Sequence, residues 1–425
     1  MKFKLLIISL SLIPFSVFSQ GKIKVMSYNL LNFGNYTSYC TAENNPHANK
    51  AAYLATIVNN QQPDIIAVCE LGKSSNINYM TNYILGNSLN NNGETKWLAA
   101  APTDQSGSYL INGLYYDSNK FQLMSQPVVV TDVRDINIYK LKCLQMVEET
   151  LFYVVVMHLK AGSSSSDEFG RAAMVIALME RLSSEFGNNQ NFIVVGDLNV
   201  YYHTEPAFQM LINPSNPSLA FYDPINKLGY WNNNDSFKDY HTQSTSDDYN
   251  NTCFSYGGMD DRFDWILISS SLKDGTADIK YVEDTYWAVG QDGNRFNGNL
   301  INPTNTSLPT DVINALYNMS DHLPVVAEFQ IGDNNSVASM SSTPDFYANL
   351  VNPTDGIIRY HLKSNLQTSV EVSIYSSVGQ KIYTTSTNSI NSDIQTIDIS
   401  GFENGIYIMS FKGEGIFQSY KIVKK

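Results

Sequence analysis

Six short stretches of this 425-residue chain end or begin on side chains able to handle a phosphate group and a hard cation. "VMSYN" ends on Asn29, "DIIAVCE" on Glu70, "YVVVMH" on His158, and "FIVVGDLN" carries Asp197 and Asn199. "DDRFDWILIS" holds Asp264 near its start, and "MSDHLPVVAEF" enters an apolar run through Asp321 and His322. Any one of these reads most simply as a turn, a cap or a packed histidine. Together they supply carboxylates, amides and two imidazoles at the ends of strand-like segments, where a rigid sheet presents functional groups.

The chemistry this set suits is hydrolysis of a phosphate ester. A hard divalent cation such as Mg²⁺, with Mn²⁺ or Ca²⁺ as alternatives, takes oxygen ligands, and Glu70, Asp321 and the amide oxygen of Asn29 are the candidates. Such a cation polarises a phosphoryl oxygen and stabilises charge on the leaving oxygen. An imidazole beside a carboxylate exchanges protons near neutral pH, which gives His158 and His322 candidate catalytic roles. There is no Cys-His cluster or His-x-x-x-His spacing of the kind a zinc site uses.

These residues have to be positioned by short apolar segments. "KIKVMSYN", "DIIAVCE", "GLYYD", "LFYVVVMHL", "NFIVVGD" and "FDWILIS" read as strands. Asn49 to Asn60 and Glu168 to Phe186 read as helices, and Asn-rich and Ser-rich stretches such as "SSSS" read as loops. Strands with helices between them predict a layered α/β or α+β domain.

Length predicts two domains. The net charge of −13 argues against broad electrostatic capture of a polyanion, although a bound cation can offset local repulsion. Residues 1–19 carry Lys2 and Lys4, an apolar run and small residues at Ser16 and Ser19, the pattern of a secretory signal peptide. No later segment is apolar for long enough to span a bilayer, so stable membrane insertion is not expected. The four cysteines permit three pairings, and Cys69, inside "DIIAVCE", reads as a buried free thiol, so no disulfide framework is assigned.

Composition changes near Ile331 to Asp345, giving a catalytic domain over 20–332, a linker over 333–342 and a small all-β sandwich over 343–425. "VSIYSSVGQKIY", "IDISGFENGIYIMSF" and the basic ending "KIVKK" resemble the C-terminal sorting domain of the type IX secretion pathway. This implies export to the cell surface or medium, with the type IX machinery as partner.

The ordered set "SYNLLNF", "DIIAVCEL", "MHLKAG", "GDLNV", "DDRFDWILIS" and "SDHLPVVAEF" resembles the endonuclease/exonuclease/phosphatase family, which includes pancreatic-type deoxyribonucleases. The resemblance covers Lys22 to Gln330 and implies a four-layer αββα sandwich with the site at one end of its two sheets. Carried over residue by residue, it implies that Glu70 and Asp321, with Asn29, serve the metal, and that His158 contacts phosphate or leaving group. It implies that Asp197 and Asn199 position the attacking water and phosphate, and that His322 is the second catalytic histidine, with Asp264 orienting it or holding the strand pair. One departure stands out: where deoxyribonuclease-like members pair an acid with the first histidine, Asn112 is the nearest polar candidate here. Arg171 and Lys160 are further candidates for reaching substrate phosphate.

The expectation is therefore a secreted, metal-dependent phosphodiesterase, foremost an endonuclease on extracellular DNA or RNA. A sphingomyelinase-like or small-molecule phosphodiesterase or phosphatase is the alternative, and a non-catalytic binding protein is the reading from another class.

Overall fold

The computed structural model describes residues 21–425 except 75, 147–149, 188–189, 248, 276–277, 332–345, 351–352, 365–368, 377–379, 388–393 and 414–415. The expected signal segment, 1–19, and linker, 333–342, lie outside the described residues. The chain divides into two compact units, on either side of residue 332.

In the first unit, eight strands carry the argument: β1 (Gly21–Phe33), β2 (Ile65–Gly72), β3 (Leu110–Asp117), β4 (Ile136–Cys143), β5 (Leu151–Val156), β6 (Phe192–Asp197), β7 (Asp264–Ser269) and β8 (Val325–Ile331). One seven-stranded sheet runs through β8, β1, β2 and β3, with β1 and β2 parallel and the other two pairings antiparallel. A second seven-stranded sheet runs through β7, β6, β5 and β4, with only β5 and β6 parallel.

Alternation along the strands sorts the side chains into two faces. Val25, Ala67 and Leu114 from the first sheet meet Phe152, Val154, Val195 and Ile266 from the second in one buried cluster, so the sheets pack face to face. The opposite face of the first sheet, with Met26, Ile66 and Val68, is covered by helices α1 (His47–Gln61) and α3 (Thr310–Met319) through Leu54, Ile57, Val312 and Leu316. The outer face of the second sheet, with Val155, Val194 and Leu267, is covered by α2 (Ser165–Glu185) through Met174, Val175, Leu178 and Leu182. The result is the helix–sheet–sheet–helix sandwich expected.

α2 begins three residues earlier than the hydrophobic pattern predicts, inside the serine run. Ser164 accepts from the Asp167 backbone N–H while the Asp167 carboxylate accepts from the Ser164 N–H, a capping box that turns a loop-like composition into a helix start. Cys40 and Cys253 form a disulfide, and Cys69 and Cys143 are buried free thiols. Among the described residues, no helix is long and apolar enough to cross a membrane.

The second unit is all β: a three-stranded sheet (Phe346–Leu350, Ile357–Ser364, Gln395–Asp398) and a four-stranded one (Lys381–Thr387, Val370–Ser376, Gly405–Gly413, Ile416–Lys424). Ile358, Tyr360, Val372, Ile374, Met409 and Phe411 form their shared core.

Candidate active site

The strand ends that carry the polar residues are irregular, and the irregularity aims them. β1 and β2 pair regularly up to Asn29 opposite Cys69, then slip register before Phe33 pairs with Leu71. Within the slip Leu31, Asn32 and Glu70 take φ of 44°, 48° and 60°, a region non-glycine residues seldom occupy. The Asn32 N–H donates to Glu70 Oε2 at 2.9 Å, so the bulge and the carboxylate hold each other.

On the second sheet, β6 ends in Gly196 and Asp197. Gly196 has φ +132°, and a Cβ there would stand 1.8 Å from the Met157 carbonyl oxygen. Glycine lets the chain after β5 run hard against β6, with Met157 N–H on Val195 O and Leu159 N–H on Asp197 O. His158 therefore comes beside Asp197. Across the antiparallel pair, Asp264 is in register with Asp197.

Asn29, Glu70, His158, Asp197, Asp321 and His322 converge at this end of the sandwich. Asn29 Nδ2 donates to Glu70 Oε1 at 3.1 Å and to Asp197 Oδ2 at 3.0 Å. Its Oδ1 accepts from the Leu31 N–H at 2.9 Å. Its oxygen thus accepts from the backbone while its amide nitrogen bridges two carboxylates.

His322 Nδ1 lies 2.7 Å from Asp264 Oδ2, which also accepts from Thr242 Oγ1 at 2.7 Å. Its Nε2 faces Asp197 Oδ2 at 3.8 Å and Asp321 Oδ1 at 3.9 Å, with the Gln243 amide nitrogen at 2.7 Å. Burial disfavours the charged ring, but Asp264, then Asp197 and Asp321, outweigh it and raise His322 well above the usual histidine range. Asp197 is pushed up to about 7, chiefly by burial, with Asp264 and Glu70 adding to the rise and His322 and the Asn29 hydrogen bond opposing it. Asp197 Oδ1 accepts from the Asn199 N–H at 2.9 Å, and Asn199 Nδ2 donates to Leu159 O, so Asn199 braces the turn after β6.

His158 Nε2 lies 3.6 Å from Asp197 Oδ2 and 3.9 Å from Glu70 Oε1. Burial, then the neighbouring charges of Arg134 and His322, hold it well below the usual histidine range. The partner of its Nδ1 is the Arg134 guanidinium through Nη1, not Asn112. Asn112 spends its amide nitrogen on Asp135 O, Asn137 Oδ1 and Val156 O.

Arg171 is fully buried, which corrects its candidacy as a substrate contact. Nε and Nη2 reach Glu205 Oε2 at 2.9 and 2.7 Å, and Nη1 donates to Lys160 O and Gly162 O. The guanidinium has become a structural clasp between α2 and the loops that follow β5 and β6. Lys160 pairs with Asp167 Oδ1 at 2.8 Å and donates to Ala161 O.

Arg134, Gln243 and Ser320 are the neighbours that sequence reading missed. Arg134 sits in "TDVRDINIY" ahead of β4, with no motif around it. Ser320 was adjacent to the Asp-His pair and ties it to β1 by donating from Oγ to Asn29 O at 2.8 Å.

The donor set fits a divalent cation. Ligand atoms of Glu70, His158 and Asp197 lie within 4.8 Å of one another. Asp321 Oδ1 is buried without a partner while its Oδ2 accepts from the Ser255 N–H at 2.9 Å. Buried carboxylates this close leave negative charge that a divalent ion would offset.

Comparison with known proteins bears on both units. Residues 352–425 match the model of the secretion system C-terminal sorting domain, and such a tail indicates secretion or export to the cell surface. No curated protein matches the chain. Among solved structures, the human Nocturnin catalytic domain with bound sulfate anion is 16% identical, covering 74% of this chain and 97% of that one at a TM-score of 0.46. An endonuclease/exonuclease/phosphatase family protein from Bacteroides thetaiotaomicron is 14% identical over 74% and 99% of the two chains, with a TM-score of 0.45. D. rerio TDP2 complexed with single strand DNA product is 14% identical over 73% and 99%, also with a TM-score of 0.45.

Proposed function

We propose that the first unit is a metal-dependent phosphodiesterase that acts outside the cell as an endonuclease on DNA or RNA, delivered by its C-terminal tail through the type IX machinery. The observation that carries this reading is the convergence of Asn29, Glu70, His158, Asp197, Asp264, Asp321 and His322 from six separated segments onto one end of two packed sheets. Buried carboxylates gathered around two histidines are costly to fold. A phosphoryl-transfer role accounts for them.

In this reading a water attacks phosphorus in line with the leaving oxygen. The water oxygen–phosphorus bond forms, the bond from phosphorus to the leaving oxygen breaks, and Asp197 takes the water's proton. Burial raises the Asp197 carboxylate above the usual carboxylate range, which makes it a better proton acceptor. His322, kept charged by Asp264, stabilises the extra negative charge on the phosphoryl group; for its Nε2–H to donate there, the Gln243 amide nitrogen that stands 2.7 Å from it has to turn aside. His158 donates a hydrogen bond to a phosphoryl or leaving oxygen; its lowered pKa keeps it neutral, which suits that role and not that of a strong acid. Asn29 holds Glu70 and Asp197 at a fixed spacing. Glu70 and Asp321 would hold Mg²⁺ or a similar cation, which when bound supplies charge neutralisation at the phosphoryl and leaving oxygens.

A small phosphoester is the second reading, favoured by the net charge of −13, which gives little help in gathering a polyanion. The purified chain assayed on plasmid DNA, RNA, sphingomyelin and a phosphomonoester, each with Mg²⁺ and with chelator, separates the two. Metal-dependent nicking of plasmid or RNA supports the nuclease. Turnover confined to sphingomyelin or the monoester supports the second reading, and no turnover on any substrate defeats both.

A further inference from the structure

Arg134 stands in the loop ahead of β4 and brings Nη1 onto Nδ1 of His158. A guanidinium offers donors only, so the nitrogen it meets has to present a lone pair. The ring proton of neutral His158 is thereby placed on Nε2, the nitrogen that faces Asp197 and Glu70. A protonated ring nitrogen has no lone pair for a cation.

We propose that Arg134 is a positioning residue that fixes the tautomer of His158, making it a hydrogen-bond donor to an anionic phosphoryl oxygen and keeping it out of the coordination shell of the cation. The identity of the anion rests on the phosphodiesterase reading; the tautomer does not.

The surroundings of Arg134 support this assignment. Among the described residues no carboxylate lies within 4.0 Å of its guanidinium, and its Nε is buried without a partner. Its charge is therefore not consumed by an ion pair as that of Arg171 is. The consequence for the metal is sharp. Glu70, His158 and Asp197 by themselves form a mixed nitrogen and oxygen set, the kind that accepts zinc or cobalt. With the His158 lone pair turned away, only oxygen donors face the cation, which selects for hard ions.

Two readouts test this without turnover. In the full chain, labelled with ¹⁵N at histidine and free of metal, the His158 signals are assigned by their loss in His158→Gln. Long-range proton–nitrogen spectra at neutral pH are expected to show a protonated Nε2 and an unprotonated Nδ1. In Arg134→Met the ring should become a tautomer mixture, and the visible d–d bands of added Co²⁺ should move to shorter wavelength, as the stronger field of an imidazole ligand requires. Wild type with Co²⁺ should keep the longer-wavelength bands of all-oxygen ligation. Arg134→Lys, which keeps a donor-only side chain, should retain the wild-type tautomer.

A protonated Nδ1 in wild type, or an imidazole-ligated Co²⁺ spectrum there, would overturn the inference, and so would an Arg134→Met protein indistinguishable in both readouts. If Arg134→Met does not fold, the wild-type and Arg134→Lys spectra still decide. Failure to hydrolyse any phosphoester alongside the expected tautomer would defeat only the proposed function; hydrolysis with the opposite tautomer would defeat only this inference.

Discussion

Asp264 Oδ2 and His322 Nδ1 stand 2.7 Å apart, both side chains almost wholly buried, the first opening β7 of one sheet and the second three residues ahead of β8 of the other. The contact crosses the sandwich at its polar end, so the same pair orients the ring and couples the two layers. Asp264→Asn keeps the shape but removes the charge that raises His322, and the proton on His322 becomes easier to lose. The expected result is a fall in kcat/KM of about 10²-fold or more on a phosphodiester, the scale of losing a positioned proton-bearing group. Steady-state rates for the folded variant check it; an unchanged rate would leave Asp264 as a strand-pairing residue only.

Gly196 is where backbone geometry sets the site. An added Cβ meets the Met157 carbonyl oxygen at 1.8 Å, and that atom is main chain within a packed sheet, so neither side can yield cheaply. Gly196→Ala is expected to cost about 4 kcal/mol or more, or to prevent folding. Gly86→Ala, where a Cβ meets nothing within 4 Å, should stay within about 1 kcal/mol of wild type. Urea unfolding of the two variants makes the comparison, and equal midpoints would contradict it.

Arg171 separates a structural cation from a substrate ligand. Removing it as Arg171→Met strands the Glu205 carboxylate, buried to the same degree, and should cost about 3–5 kcal/mol. KM measured on the folded protein should be unchanged. A raised KM with unaltered stability would restore Arg171 as a phosphate contact.

Lys50 predicts a pH dependence of stability. It is almost fully buried, donates to Leu31 O and Asn45 Oδ1, and is lowered to about 7 by burial, with Asp321 and Glu70 partly opposing the shift. The unfolded chain keeps this proton up to about pH 10.4. Between those values the unfolded state binds more protons than the native state, so this residue's contribution to stability rises with pH through that window. Against Lys50→Met, wild type should gain on the order of 4 kcal/mol from the bottom of the window to its top. Unfolding midpoints of both proteins near pH 7 and near pH 10 check the sign; a difference that is flat or runs the other way would refute it.

Much of this arrangement was legible because strand periodicity places residues at strand ends. Asn29, Glu70, His158 and Asp197 fall where "VMSYN", "DIIAVCE", "YVVVMH" and "FIVVGD" run out of apolar alternation, and the two sheets bring those ends together. What was not legible depends on partners distant in sequence. Arg134 reaches His158 because β4 and β5 are antiparallel neighbours, a pairing that nothing in "TDVRDINIY" announces. The Asn29 oxygen accepts from the Leu31 N–H where a bulge follows β1's regular pairing, a contact with no signal in "VMSYN". Arg171 reads as a candidate phosphate contact, and its partner Glu205 lies 34 residues on, with no local signal of the pairing. The Cys40–Cys253 bridge spans 213 residues and left no local trace.

The central claim is a metal-assisted phosphoryl-transfer site organised by His322. It is tested most directly by following plasmid DNA cleavage by the purified chain with Mg²⁺, with chelator, and as His322→Ala with Mg²⁺. Cleavage should occur in the first case, vanish in the second and fall by about 10²-fold or more in the third. Cleavage that survives chelation, or full activity in His322→Ala, would contradict the account.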